Sequence, residues 1–319
     1  MKKIFITFII AIFFIKVIVP IASAQQISLG LHPPLIESLI KPGKSILVAY
    51  KLENNGDPSI MKATILPFRP KGDNGEIEIA KEFDGPIRFS LDNSDLSLDK
   101  PFFMRPQEST QLLLKIRVPE GTPEGDYYYT LLVTTEPSSL SAGNTGSAAQ
   151  AGIGANIILS VSQTGYSTID AKISLFSVVS NLTIPFTNTK IPLFDSNDQV
   201  PLKMIVHNKG HHVLHPNGQI TLKGNFGEHA TYDIVPQNIL SQSQRLIMAS
   251  GSASLNNTLS LSGFYIGKYS LSTNLNFGDN TPNLYAATTF YAFPFKFGLV
   301  IFIIGAIAWY LIRRLKSNI

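Results

Sequence analysis

Five of the six histidines fall between positions 207 and 229, and three form the run His211-His212-x-x-His215. Imidazoles this close together are the chain's clearest candidates for metal ligation or for a proton-sensitive contact. His207 and His211 stand four apart, a spacing that unites two ring nitrogens on a helix, whereas this stretch reads as a strand followed by a turn. No carboxylate lies between 207 and 215 to complete a ligand set. The plain reading is a polar loop that happens to be rich in histidine, with metal binding and pH sensing as the sharper alternatives. Other candidates are weaker. Glu76 and Glu78 alternate onto one strand face, which reads as its solvated side. Residues 92–99 (DNSDLSLD) have loose calcium-loop character but lack the glycine and terminal glutamate of an EF-hand. Gly251-Ser252 has no nucleophile elbow around it, since Gly-x-Ser-x-Gly is absent. The chain has no cysteine, which removes thiolate nucleophiles, thiolate metal sites and disulfides together. No catalytic residue and no cofactor is implied.

The elements that would position these groups are strands. Residues 46–52 (ILVAYKL), 111–118 (QLLLKIRV), 127–135 (YYYTLLVTT) and 200–207 (VPLKMIVH) are β-branched, aromatic or alternating runs bounded by Asn, Gly and Pro. Further strands are predicted near 60–68, 76–80, 87–91, 157–161, 169–176, 219–223, 244–248, 268–275 and 284–291. Strands at this spacing, without helical periodicity, indicate an all-β chain of two tandem immunoglobulin-like β-sandwiches. Residues 138–151, rich in Ser, Gly, Ala and Asn, cannot pack a core and read as a long hairpin loop.

The two ends have a different character. Lys2 and Lys3 precede an apolar run, and Ala22-Ser23-Ala24 is a small-x-small cleavage signature, so 1–24 reads as a signal peptide. Residues 297–312 (FGLVIFIIGAIAWYLI) are uncharged and are followed by Arg313, Arg314 and Lys316. Sixteen residues of helix reach about 24 Å, short of a ~30 Å hydrocarbon core, so the span is extended back to 293. A basic tail at 313–319 predicts a cytoplasmic C-terminus and a single-pass topology, with Arg313, Arg314 and Lys316 as the topology signal. The formal charge is +4, and removing Lys2, Lys3, Lys16, Arg313, Arg314 and Lys316 leaves −2 for residues 25–312. The basic excess is therefore confined to the ends, and no nucleic-acid face is implied. The expected division is signal peptide 1–24, sandwich 25–163, sandwich 166–292, transmembrane helix 293–312 and basic tail 313–319.

Internal repetition supports two copies of one unit. Asn54-Asn55-Gly56 ends a strand in the first half and Asn208-Lys209-Gly210 does so in the second. Gly125-Asp126-Tyr127 and Gly267-Lys268-Tyr269 each open a penultimate strand, where a Gly-x-Tyr fits a tyrosine corner. Tyr127 and Tyr269 are accordingly assigned to structure. In such sandwiches the loop after the second strand shares one end with the last hairpin, opposite the tyrosine corner. Residues 207–215 should therefore face the junction between the units. Asn54, Asn55, Asp57 and Asn144 should gather at the far tip, a place where such scaffolds carry binding, or else form a solvated end without a partner.

With Pro42-Gly43-Lys44-Ser45, Asn54-Asn55, Val118-Pro119-Glu120-Gly121, Asn208-Lys209-Gly210, Pro216-Asn217-Gly218, Gly267-Lys268-Tyr269 and the apolar terminus in this order, the chain resembles the WxL-interacting proteins of Gram-positive bacterial cell surfaces. The resemblance implies a membrane-anchored, extracellular binding protein whose first sandwich engages peptidoglycan and whose second is linked to host binding. Another surface protein is the alternative partner for the tip. A structural or accessory subunit, with the ectodomain as a spacer, is the alternative role. Neither Leu-Pro-x-Thr-Gly nor a lipobox cysteine is present.

Overall fold

The computed structural model describes residues 26–136, 150–165, 169–186, 189–250, 258–278 and 281–316. The expected signal peptide, Asn144 and most of the 138–151 stretch lie outside these.

Ten strands make the first unit: β1 (Leu29–His32), β2 (Leu35–Ile40), β3 (Ser45–Asn54), β4 (Ser59–Lys71), β5 (Glu76–Ile79), β6 (Arg88–Leu91), β7 (Pro101–Met104), β8 (Glu108–Arg117), β9 (Gly125–Glu136) and β10 (Gly152–Val161). One sheet runs β1-β3-β8-β6 and the facing sheet β2-β10-β9-β4-β5, with β7 also on β4. The chain changes sheet between β1 and β2 at Pro33 and Pro34, residues with no amide hydrogen to leave unpaired. β2 then runs parallel to β10. Alternation places the core: Leu112, Leu114 and Ile116 of β8 are fully buried, while Gln111, Lys115 and Arg117 face out. Each such aliphatic side chain contributes about 1.5–3 kcal/mol by burial. Tyr50, Leu52, Met61, Leu131, Val133 and Ile157 close the same core from the other strands.

The second unit repeats the plan with β11 (Ala171–Val178), β12 (Leu182–Phe186), β13 (Thr189–Phe194), β14 (Val200–Asn208), β15 (Asn217–Gly224), β16 (His229–Asp233), β17 (Gln244–Leu246), β18 (Leu259–Leu261), β19 (Gly267–Asn276) and β20 (Leu284–Ala292). Its sheets are β11-β14-β17, with β18 on β14, and β12-β13-β20-β19-β15-β16. A parallel pairing again joins an early strand to the last one, here β13 to β20. Val200, Leu202, Met204 and Val206 alternate into its core. Near the C-terminal end of that core Tyr265, Tyr269 and Phe290 pack with ring centroids 5.1–5.7 Å apart.

The C-terminal helix, Phe295–Lys316, differs from the expected 293–312 span at both ends. Its 22 residues reach about 33 Å, enough to cross a hydrocarbon core where the sixteen uncharged ones alone fall short. The segment Phe295–Arg314 has a mean hydropathy of 2.2 and no buried residue, so by length and composition it can cross a membrane. The helix is also joined to the second sandwich rather than loosely tethered. Phe293 N–H donates to Phe194 C=O at 3.0 Å, and Asp195 Oδ2 accepts Lys296 N–H at 2.9 Å. Asp195 thus partners an amide of the first turn that has no acceptor within the helix. Lys296 Nζ pairs with Asp198.

Candidate functional site

The histidine loop is built on Asn208, whose side chain is fully buried. Its Nδ2 donates to the carbonyls of His212 (2.7 Å), Ile239 (3.0 Å) and Leu240 (3.1 Å), and its Oδ1 accepts Gly210 N–H (2.9 Å). This wraps residues 209–213 into a fixed turn and aims His211 C=O, the His212 ring and Val213 N–H at the first unit. What they meet is Asp126, the first residue after Gly125 in β9. Gly125 has φ +137°, a conformation that disfavours any side chain there.

Asp126 is the buried centre of the joint between the two sandwiches. Its N–H donates to His211 C=O at 3.0 Å. Oδ1 lies 3.0 Å from His212 Nδ1 and accepts Ser160 Oγ at 2.7 Å. Oδ2 accepts Val213 N–H at 2.5 Å and the Tyr128 hydroxyl at 3.0 Å. A carboxylate only accepts, so His212 carries its proton on Nδ1. The Asp126 side chain is completely buried and His212 is 5% exposed. Tyr128 extends the joint: its oxygen lies 2.9 Å from Ser241 Oγ and accepts Ser241 N–H at 2.7 Å. Burial, reinforced by the Asp126 charge, pushes the Tyr128 phenol well above its usual pKa.

Around this buried centre lies a wetter rim. His215 Nε2 meets Glu37 Oε2 at 2.9 Å, and Asn238 also reaches Glu37. Leu246 N–H donates to Asp73 C=O at 2.7 Å. Arg245 lies across Gly75, where a Cβ would come within 2.4 Å of the guanidinium, and it donates to Asn238 C=O at 2.6 Å. A cleft of about 320 Å³ opens here between the units, lined by Phe68, Ile158, Pro236 and Arg245 among others.

The hydroxyls around the His212–Asp126 pair are tied into the joint: Ser160 and Tyr128 bond to Asp126, and Tyr128 to Ser241. The arrangement fixes one domain against the other. Among the described residues no three His, Asp or Glu side chains converge as a metal site would require.

At the opposite end of the first unit the expected tip residues divide. Asn54 is 1% exposed and does for its loop what Asn208 does for the other. Its Nδ2 donates to Asp57 C=O (2.9 Å) and Arg105 C=O (3.1 Å), and Oδ1 accepts Gly56 N–H (3.2 Å). The Asn54 side chain is thus engaged in holding its loop. Asp57 Oδ2 accepts Gln26 N–H at 2.8 Å, which ties the N-terminal segment to the loop. Asn55 remains exposed, its carbonyl accepting Gln107 Nε2 at 3.3 Å. Asn144 lies outside the described residues.

The tyrosines are both hydrogen-bonded near their corners. The Tyr127 hydroxyl donates to Pro123 C=O, four residues upstream, at 3.0 Å. The Tyr269 hydroxyl instead donates to Glu228 Oε1 at 2.9 Å and accepts Ile266 N–H at 3.2 Å. At the chain end Arg313 stacks over Trp309, 5.4 Å from the ring centroid, while Arg314 and Lys316 continue the helix. Asp126, Glu37, Tyr128 and Ser241 were not singled out by sequence reasoning. The one available signal was the middle position of Gly-x-Tyr, acidic in the first unit and basic (Lys268) in the second.

No protein-family model matches the chain, and no curated protein sequence matches it. Solved structures similar to it include the class 5 fimbriae chaperone CfaA, with 13% identity over 82% of this chain and 99% of that one and a TM-score of 0.38. The E. coli chaperone DraB shows 11% identity over 82% and 98%, with a TM-score of 0.36. A chain of the CsuC–CsuE chaperone–tip adhesion subunit complex of Acinetobacter baumannii shows 12% identity over 83% and 99%, with a TM-score of 0.37.

Proposed function

We propose that this chain is a non-enzymatic bacterial surface protein, anchored by its C-terminal helix, that binds a cell-envelope partner through the far end of its first sandwich. The observation that carries this reading is the asymmetry of the two equivalent loop ends. In the second unit that end is occupied by Asp126 and Tyr128 of its neighbour. In the first unit the corresponding end, with Asn55 and Gln107 at its surface, meets only its own N-terminal segment among the described residues. The second sandwich acts as a pedestal: its helix side is joined to the anchor and its other side grips the first unit. With a cytoplasmic tail of Arg313, Arg314 and Lys316, both sandwiches lie outside the cell.

The likeness to WxL-interacting proteins makes peptidoglycan the first partner to test and another surface protein the second. Full-length protein in detergent micelles is mixed with purified sacculi and, separately, with extracted surface proteins. Retention on sacculi that disappears when residues 139–148 are deleted supports the reading with a polymer ligand. Capture by protein alone, abolished by the same deletion, keeps the tip and changes the ligand. Binding that survives the deletion and the Asn55→Ala and Gln107→Ala changes rejects the tip and favours the spacer role.

A further inference from the structure

The second sandwich ends in a cluster of exposed aromatic and aliphatic side chains that its fold does not require. Phe226, at the tip of the β15–β16 hairpin, is 77% exposed, Phe264 61% and Phe293 60%, with Ile266 also open. They come from separate segments, yet the geometry brings all of them to one place. The Phe226 ring lies against Gly267, where a Cβ would stand 3.6 Å from it, and Gly267 pairs with Ala292, three residues before the helix. Phe264 precedes Tyr265, whose N–H donates to Ser196 C=O at 2.9 Å, and the adjacent Asp195 caps the helix. Phe293 is two residues from the first helical turn.

The Phe226 hairpin is held in place. Glu228 Oε2 accepts Phe226 N–H at 3.0 Å while Oε1 accepts the Tyr269 hydroxyl, so the tip is pinned to the core tyrosine with its ring pointing outward. A folding core has no use for apolar rings presented this way, and contiguous exposed patches of this kind mark a surface that meets protein or lipid. Their position beside the start of an apolar helix selects lipid. If the helix spans the bilayer, these rings stand at the boundary between headgroups and acyl chains, where amphipathic surfaces bury aromatic side chains.

We infer that the base of the second sandwich is itself a lipid-binding surface, with Phe226, Phe264, Ile266 and Phe293 inserted into the adjoining leaflet. The inference rests on reading the helix as a membrane span, and adds that the domain sits on the bilayer instead of standing clear of it. Trp309 is the chain's only tryptophan and reports the span independently.

The test uses the full-length chain reconstituted into phosphatidylcholine vesicles with acyl chains brominated near their carbonyl end. Native protein reports Trp309, and F226W, F264W and F103W are each made in a W309F background. Phe103 is an exposed residue of the far unit and serves as the control. For a ring about 5–10 Å into the boundary, F226W should lose about half its emission relative to unbrominated vesicles, with F103W unchanged. F264W repeats the measurement from a different loop should F226W fail to fold. Emission from both variants unaffected by bromine, with Trp309 quenched by deeply brominated lipid, overturns the lipid-binding base and leaves the span intact. Loss of quenching at Trp309 as well removes both.

Discussion

The loops at Asn54 and Asn208 are the same device used twice, and they differ in what lies above them. Each asparagine is buried, donates to backbone carbonyls of a neighbouring loop and accepts the N–H of the glycine two residues on. Above Asn208 sits Asp126 of the preceding sandwich. Above Asn54 the amides of Asn55 and Asp57 donate to Ser28 C=O (2.7 Å) and Gln26 C=O (2.8 Å) of the same unit, and Lys209 N–H, the counterpart of Asn55, likewise donates to Asp170 C=O (2.8 Å) of its own unit. A tandem array therefore specialises its copies by what covers a shared turn, without altering the turn. One copy becomes a joint, and the other, among the described residues, meets only its own unit.

The sharpest way to break this contrast is Asp126→Ala. It strands Val213 N–H, the His212 ring and Ser160 Oγ at a buried site, and should cost about 3–5 kcal/mol. Chemical denaturation should then show two separated transitions, because the domains lose their coupling. A single unshifted transition would mean the joint is held by its rim. Asn208→Ala leaves three carbonyls without the side-chain donor and should destabilise the second unit by about 3 kcal/mol, loosening the joint in hydrogen exchange at Asp126 and Ser241. Asn54→Ala should cost slightly less, about 2 kcal/mol, and leave exchange at the joint unchanged.

Tyr128→Phe removes about 1 kcal/mol and one pH dependence. The folded-state pKa of Tyr128 is raised above the ordinary value of 10.0 chiefly by burial, so its neutral form favours folding. That contribution is complete below pH 10 and is lost as the pH climbs from there toward the raised value. The joint of the native chain should therefore weaken above pH 10, and Y128F should show a smaller alkaline loss when unfolding is followed from pH 8 to 11. The smallest effect belongs to His215→Ala on the exposed rim, where loss of the Glu37 pair should cost less than about 1 kcal/mol. A larger cost, read by the same denaturation, would move the weight of the joint outward from Asp126.

Much of the fold was legible because burial on one face imposes alternation. Strands β3, β8, β14 and β19 stand within a few residues of where their patterns place them. The β12–β13 hairpin escaped for a physical reason: Pro185 and Pro192 interrupt its runs, and proline in a strand reads as a stop unless the strand lies near an edge, as these do. The short strands β7, β16 and β18 escaped as well. At the joint, the sequence indicates which loop faces the neighbour, since sandwich topology sets which loops share an end. It does not indicate Asp126, because its partners lie 86 and 87 positions away and no local pattern links them. Tyr128 was hidden between two other tyrosines. Period-two alternation turns Tyr127 and Tyr129 to one face and leaves Tyr128 on the other, toward Ser241.

The helix continues from the end of β20, and β20 is paired to β19 along nine consecutive residue pairs from Leu284 to Ala292. A pull on the helix would run along that strand, across the direction of its hydrogen bonds. The bonds must then slide together instead of opening one after another from an end. The last strand of the second sandwich is in mechanical terms a shear clamp between the helix and the rest of its domain.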